Sequence, residues 1–244
     1  MKKRISSIFC LLAFAITSMQ AKDYNVKDYG AIGDGKTLDH IAINATIDTC
    51  VAHGGGRVVL PAGTYLCGSI RMKSNVELHL MTGSKILAAP ASMKAYDEAE
   101  EFEGTAYQDG GHTYFKNSLI YAIGANDVSI TGRGMIDGEG LTRRDTENGG
   151  NLHGGNIGTG DKAIAFKQCR NILIRDVTIY RGGHFGIIVT GCELGTIDNV
   201  IVDTNRDGID IDCCKYLTVS NCKINTPHDD GLVLKSSYAL RSLL

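Results

Sequence analysis

Three stretches, CRNILIRDVTI (residues 169–179), CELGTIDNVIV (192–202) and CKYLTVSNCKI (214–224), align without a gap when Cys169, Cys192 and Cys214 share a column. Ile174, Ile197 and Val219 then fall together, as do Asp176, Asn199 and Asn221. The next columns hold Val177, Val200 and Cys222, then Ile179, Val202 and Ile224. The spacings are 23 and 22 residues, and each unit runs on into a second apolar pair: Ile187 and Val189, Ile209 and Ile211, Leu232 and Leu234. A unit of short strands with period-2 burial cannot bury its apolar face alone, so neighbours must stack. No unit holds a 3.6-residue period, which excludes helical repeats, and the leucine consensus of leucine-rich repeats is missing. The remaining solution is all-β: a right-handed parallel β-helix in which every column becomes a ladder with about 4.8 Å between rungs.

Outward from the repeat, the same rhythm extends towards the N-terminus. RVVLPAGTYLCGSI, NVELHL, SKILAA, SLIYAI and DVSITGRGMIDG are β-rich pieces divided by Gly, Pro, Asn and Asp. One helix is expected, in KTLDHIAINATIDTCVAHGGG, with Leu38, Ile41, Ala42, Ala45 and Val51 on its apolar face and Gly54–Gly56 as its stop. It is expected to cover the N-terminal end of the solenoid. Two stretches break the rhythm: the acidic Tyr96–His112 and the glycine-rich Asn148–Gly160. Loops of this length are either functional or passive insertions.

The 244 residues are 43% hydrophobic and 21% charged, with a net charge of −2, which suits one soluble unit with a core of its own. That balance gives no basis for nucleic acid or an anionic membrane as partner. Lys2, Lys3 and Arg4 ahead of the apolar run Ile8–Ile16, with SMQA offering cleavage after Ala21, read as a secretory signal over residues 1–21. The run is far short of the roughly 20 residues a spanning helix needs. The mature β-helix domain is therefore expected over 22–244, secreted or periplasmic. Seven cysteines remain after cleavage, an odd number with no zinc-type spacing, and most are expected as small buried hydrophobes.

The register gathers charge on one patch. Asp207 and Asp230 each precede a Gly-apolar-x-apolar pattern and share a column on adjacent coils. Asp229 falls in the neighbouring column, beside Arg206 one coil earlier and His184 two coils earlier. Like charges about 5 Å apart push at least one pKa upward. Solvated turn aspartates are one explanation; cleavage of a glycosidic bond, which needs one carboxyl protonated and another ionised, is the other.

NRDGIDIDCCKYLTVSNCKINTPHDDGLVLK (residues 205–235) resembles the central signature of glycoside hydrolase family 28, the polygalacturonases and rhamnogalacturonases. In that signature an Asn-x-Asp-Gly-hydrophobic-Asp motif is followed one coil later by Asp-Asp and a Lys. DYGAIGDGKTLDHIAINATIDTCVAHGGGRVVLPAGTYLCGSI (28–70) resembles the start of such enzymes and of pectate-lyase-like domains generally. The resemblance implies a secreted glycosidase that hydrolyses α-galacturonosyl linkages in pectic polysaccharide with inversion, without metal or cofactor, as a monomer when full length. It implies Asp229 as the general acid and Asp207 and Asp230 as the pair that holds and activates water. Asn205 would support the site and Lys235 would take the place of the family's lysine. Arg206 stands where many members have Thr. It could bind a substrate carboxylate, lower the pKa of Asp229, or form a partly solvated surface pair. His184 is a candidate for the cleft or a satisfied turn histidine, and His228 replaces a usual glycine.

The family's later Gly-His-Gly and Arg-x-Lys do not occur before the chain stops at SSYALRSLL, so a C-terminally truncated product is expected, with activity a separate question from ancestry. Two other functions compete. A polysaccharide lyase on the same fold would need a calcium-binding acidic cluster and a basic catalytic residue. A non-catalytic β-solenoid would bind polysaccharide without releasing reducing ends.

Overall fold

The computed structural model describes residues 22–101, 110–142, 158 and 160–236. The expected leader at 1–21 and most of the expected loop 148–160 lie outside them. Three parallel sheets run through the described residues. In spatial order the first holds Asp23–Asn25, Gly56–Leu60, Val76–Leu80, Asn126–Gly132, Arg170–Arg175, Glu193–Asp198 and Lys215–Ser220. The second runs Asp34–Leu38, Gly63–Cys67, Ser84–Ala88, Met135–Asp137, Thr178–Tyr180, Ile201–Asp203 and Lys223–Asn225. The third runs Ile70–Arg71, Ile120–Ile123, Lys162–Lys167, Phe185–Thr190, Asp207–Asp212 and Leu232–Lys235. Each coil after the first contributes one strand to each sheet, and the first, with Asp23–Asn25 and Asp34–Leu38, contributes to the first two only; this is a parallel β-helix.

The register follows the columns of the repeat. Ile174 pairs with Ile197 and Ile197 with Val219 in the first sheet. Ile179, Val202 and Ile224 pair in succession in the second, and Ile187, Ile209 and Leu232 in the third. Stacking puts like residues in contact, so each inward column is an apolar ladder. The Asp176, Asn199 and Asn221 column forms the bend between the first and second sheets, with φ of 67°, 52° and 55°. Asn and Asp tolerate this left-handed conformation better than other residues with a Cβ. The Asn199 Nδ2 donates to Asp176 Oδ1 at 2.8 Å, and Asn221 Nδ2 to Asp198 Oδ1 at 2.7 Å, so the bend is tied from coil to coil. No disulfide joins the seven described cysteines, and Cys50, Cys67, Cys169 and Cys192 are buried.

The helix forms over His40–Ala52 and packs on the first coil, against Gly56–Leu60, Ile70–Arg71 and the turn Val26–Tyr29. Its buried face is Ile43, Thr46, Ile47 and Cys50. The expected face is corrected: Ile41 is 68% exposed, Val51 lies outside the buried stripe, and Leu38 ends a strand. Apolar residues lie on both sides of this helix, so composition alone does not select the side; the end of the solenoid does. The helix stops where Gly54 and Gly55 take φ of 94° and 102°. A Cβ on Gly55 would lie 2.3 Å from the Asn75 carbonyl oxygen, so glycine is required there by close approach.

The acidic interruption has a structural role. Its described parts lie over the outer face of the third sheet. Arg71 forks onto Asp97 at 2.6 and 2.7 Å, and the Tyr121 hydroxyl donates to Asp97 Oδ2 at 2.7 Å. Glu100 accepts the backbone N–H groups of Phe115 and Lys116, and Lys167 Nζ donates to the Thr113 carbonyl at 3.1 Å. Phe115, Tyr121, Ala165, Phe185 and Ile188 form a second apolar cluster outside the main core. The strands Lys162–Lys167 and Phe185–Thr190 are thus buried on both faces, which explains their near-continuous apolar sequences.

Candidate active site

Two adjacent columns at the entry to the third sheet carry the chemistry. Lys162 pairs with Phe185 and Phe185 with Asp207, and the pairing of Ile209 with Leu232 sets Asp230 beside Asp207. One residue earlier on each coil stand Asp161, His184, Arg206 and Asp229. Gly208 makes this stacking possible: its N–H donates to the Asp230 carbonyl at 2.9 Å, and a Cβ on it would meet the Gly231 carbonyl oxygen at 2.4 Å. Oxygens of Asp207, Asp229 and Asp230 all lie within 4.8 Å of one another. A trio so spaced can hold a cation, or it can divide acid and base work among its members.

The electrostatics divide it. Asp207 is 3% exposed, and burial, then the neighbouring charge of Asp210, then its hydrogen bond to and the charge of Asp229, push its carboxyl up to about 7 against the pull of Lys235. Burial also pushes Asp229 upward, but the hydrogen bond from Asp207, the Arg206 guanidinium, the Asp230 N–H and Lys235 outweigh it and hold the carboxyl below its usual range. One proton is therefore shared by the pair and resides on Asp207, which donates to Asp229. Asp229 Oδ1 also accepts the Asp230 N–H at 3.0 Å, while the Asp230 side chain is exposed.

Arg206 Nη2 lies 3.1 Å from Asp229 Oδ2 and 3.3 Å from His184 Nε2. A guanidinium only donates, so His184 Nε2 accepts and its ring proton sits on Nδ1. The buried His184 ring stacks on Phe185 with centroids 4.3 Å apart and planes at 7°. His184 therefore lies beneath Arg206 and positions it, rather than standing open in a cleft. Lys235 Nζ is 3.0 Å from Asp210 Oδ2, 3.1 Å from His112 Nε2 and 3.9 Å from Asp207 Oδ2. Asn205 borders, with Arg181, Gly183 and Thr204, a hollow of about 160 Å³.

The structure thus brings Asp207, Asp229, Asp230, Arg206, His184 and Lys235 into one connected cluster, with Asn205 on its rim. Sequence reasoning did not single out His112, Asp210 or Asp212. All three are buried, and His112 Nε2 and Nδ1 lie 3.5 and 3.6 Å from Asp210 Oδ2 and Asp212 Oδ2. The alternation in GIDID (208–212) was the available signal for the aspartates, since Ile209 and Ile211 point inward and the carboxylates must point out. His112 comes from the cover and has no periodic signal.

The parallel β-helix thus carries a hydrogen-bonded carboxyl pair at the entry to its third sheet. The sequence profile of the family described as rhamnogalacturonase A/epimerase, pectate lyase-like matches residues 24–233, and the chain belongs to that family. It is similar to an exo-poly-alpha-D-galacturonosidase of Dickeya chrysanthemi, 27% identical over 259 residues that cover 87% of this chain and 42% of that protein. Among solved structures it is similar to a hyperthermoactive exopolygalacturonase of Thermotoga maritima, with a TM-score of 0.72 and 28% identity over 89% of this chain and 56% of that one. It is also similar to a family 28 exopolygalacturonase of Yersinia enterocolitica, with a TM-score of 0.68 and 25% identity over 85% and 43% of the two chains. The chain spans about half the length of the curated relatives it matches.

Proposed function

We propose that this protein is a glycoside hydrolase that cleaves α-galacturonosyl linkages in pectic polysaccharide by single displacement, outside the cytoplasm. The observation that carries the proposal is the Asp207–Asp229 pair, one carboxyl protonated and its partner ionised, with Asp230 beside them. Once the shared proton has passed to it from Asp207, Asp229 protonates the departing glycosidic oxygen. Asp207 and Asp230 orient a water and accept its proton as it attacks the anomeric carbon from the opposite face. Asn205 and Arg206 bind the sugar at the rim, and His184 and Lys235 hold Arg206 and Asp207 in place.

Attack from a chain end is the mode that the covered sheet favours. On the coils preceding the carboxylates, the outer face of the third sheet is filled by Phe115 and its neighbours. A polymer cannot lie along that face, so it meets the carboxylates with one end stopped. The names of the similar proteins, exopolygalacturonase and exo-poly-alpha-D-galacturonosidase, agree with this mode.

The test is product analysis on polygalacturonate. Saturated mono- or disaccharides should accumulate from the start, with slow loss of viscosity. Random mid-sized oligomers would refute the chain-end mode, and absence of reducing-end release from any pectic substrate would refute hydrolysis. One observation favours a second function: the oxygens of the three carboxylates are close enough to hold calcium, as a lyase would need. An unsaturated product absorbing in the ultraviolet, formed only with calcium, would decide for it.

A further inference from the structure

We propose that a uronate carboxylate docking on Arg206 moves the shared proton from Asp207 to Asp229, so that the free-acid substrate arms its own general acid. This rests on the hydrolase proposed above and adds to it a reason for discriminating free uronates from their esters.

The free protein holds its proton on the wrong member of the pair for hydrolysis. Asp229 is ionised because it accepts the hydrogen bond from Asp207 and because Arg206 Nη2 lies 3.1 Å from its Oδ2, and burial beside Asp210 keeps the proton on Asp207. A departing glycosidic oxygen needs a proton from Asp229, and the attacking water needs an ionised Asp207. Asp207 is equipped to be ionised: Lys235 Nζ stands 3.9 Å from its Oδ2. Burial beside Asp210 and the charge of Arg206 at Asp229 together hold the proton back, and the charge of Arg206 is the one that a docking anion can change.

Arg206 is built to be shared. His184 and Asp229 both engage Nη2, while the side chain keeps 23% of its surface exposed. A guanidinium has five donors, so a second carboxylate can join without displacing the side chain. Two anions then divide one positive charge. The sugar ring also removes water from the Asp229 side chain, which is 29% exposed in the free protein. Both changes raise the proton affinity of Asp229. The transfer follows the hydrogen bond already present: the Asp207 O–H bond breaks, an Asp229 O–H bond forms, and no proton is gained or lost. The charged and titratable described groups facing the pair are Arg206 and His184 from preceding coils, Asp230 in the same turn, and Lys235 and Asp210 on the third sheet, with His112 and Asp212 behind Lys235. A methyl ester carries no charge, so it cannot draw on Arg206.

The experiment uses galacturonate, which has no bond to cleave, and its methyl ester as probes. The Asp207 and Asp229 carboxyl carbons are followed by NMR in the 13C-aspartate-labelled chain at about pH 5.5. With galacturonate, Asp229 should move to its protonated shift and Asp207 to its ionised shift, with no net proton uptake in calorimetry across two buffers. With the ester, Asp207 should keep the proton. Arg206→Met should lose the preference for acid over ester by about tenfold or more, the usual scale for a charged hydrogen bond. Arg206→Lys should keep part of it. The proposal is overturned if Asp207 keeps the proton in the galacturonate complex, or if Arg206→Met still prefers the acid. It is also overturned if galacturonate does not bind to a protein that hydrolyses polygalacturonate. Hydrolysis failing while the galacturonate-driven swap occurs would overturn the proposed reaction and leave the swap standing.

Discussion

Asp207 donates its hydrogen to Asp229 from one coil of the solenoid to the next. The two residues are 22 positions apart in the chain and meet because one coil is about that long. Their proton affinities differ because one is enclosed beside Asp210 and the other faces Arg206.

Substitution of the three carboxylates tests their roles. Asp229→Asn, Asp207→Asn and Asp230→Asn should each lower turnover on the order of 10²- to 10⁴-fold, the scale of a lost acid–base function. Substrate binding should survive, because the carboxylates act mainly in the transition state. A substrate with an activated leaving group should partly rescue Asp229→Asn and neither of the others. Rescue of Asp207→Asn instead would reverse the assignment of acid and base.

The raised affinity of Asp207 has a consequence for stability. Its carboxyl titrates at about 7 in the folded chain against a usual value of 3.8. Between these values the folded state binds a proton that the unfolded state has released, so this group's contribution falls as pH rises from about 4 to about 7. The fall is on the order of a few kcal/mol. Asp207→Asn should remove it, raising the melting temperature at pH 8 while changing it little at pH 4. An equal shift at both values would show that the side chain acts through packing alone. Asp229 has the opposite sign: its contribution is present above the unfolded pKa and is lost as pH falls through its lowered folded value.

Gly208 tests the stacking of the catalytic columns. With the Gly231 carbonyl oxygen 2.4 Å and Ile224 Cγ2 2.7 Å from an added Cβ, Gly208→Ala forces adjacent coils apart. It should cost about 2 kcal/mol or more, as overpacking does, and should reduce activity beyond the loss of folded protein. Chemical denaturation alongside activity per folded molecule separates the two effects.

Phe115 tests the cover. Its side chain is fully buried on the outer face of the third sheet, and Phe115→Ala should cost about 3–5 kcal/mol. Amide exchange should accelerate in 96–101 and 110–117 more than in the Ile174, Ile197 and Val219 ladder. Uniform acceleration would mean the cover and the solenoid unfold as one unit.

The carboxylates make a last distinction. In the proposed hydrolysis, Arg206 and Lys235 supply the positive charge that the cluster needs. Dialysis against a chelator should therefore leave reducing-end release unchanged. A loss restored by calcium would favour the lyase.

The β-helix, the inward ladders and the meeting of Asp207, Asp229, Asp230, Arg206 and His184 were determined by the sequence itself. In a solenoid a residue's spatial neighbour is the one a coil away, so a period of 22 or 23 residues is a list of contacts. The buried side of the helix His40–Ala52 was decided only by the first coil on which it packs. The cover was decided in the same way, because Phe115 and His112 belong to a stretch with no period. The contact of His112 with Lys235 joins residues 123 positions apart, and nothing repeats between them to announce it. Protonation was the other matter left to the tertiary structure. Sequence placed like charges together and required that one carboxyl yield, but burial beside Asp210 and exposure beside Arg206 chose Asp207 as the one that keeps the proton. Desolvation depends on everything packed around a group, and that sum exists only once the chain is folded.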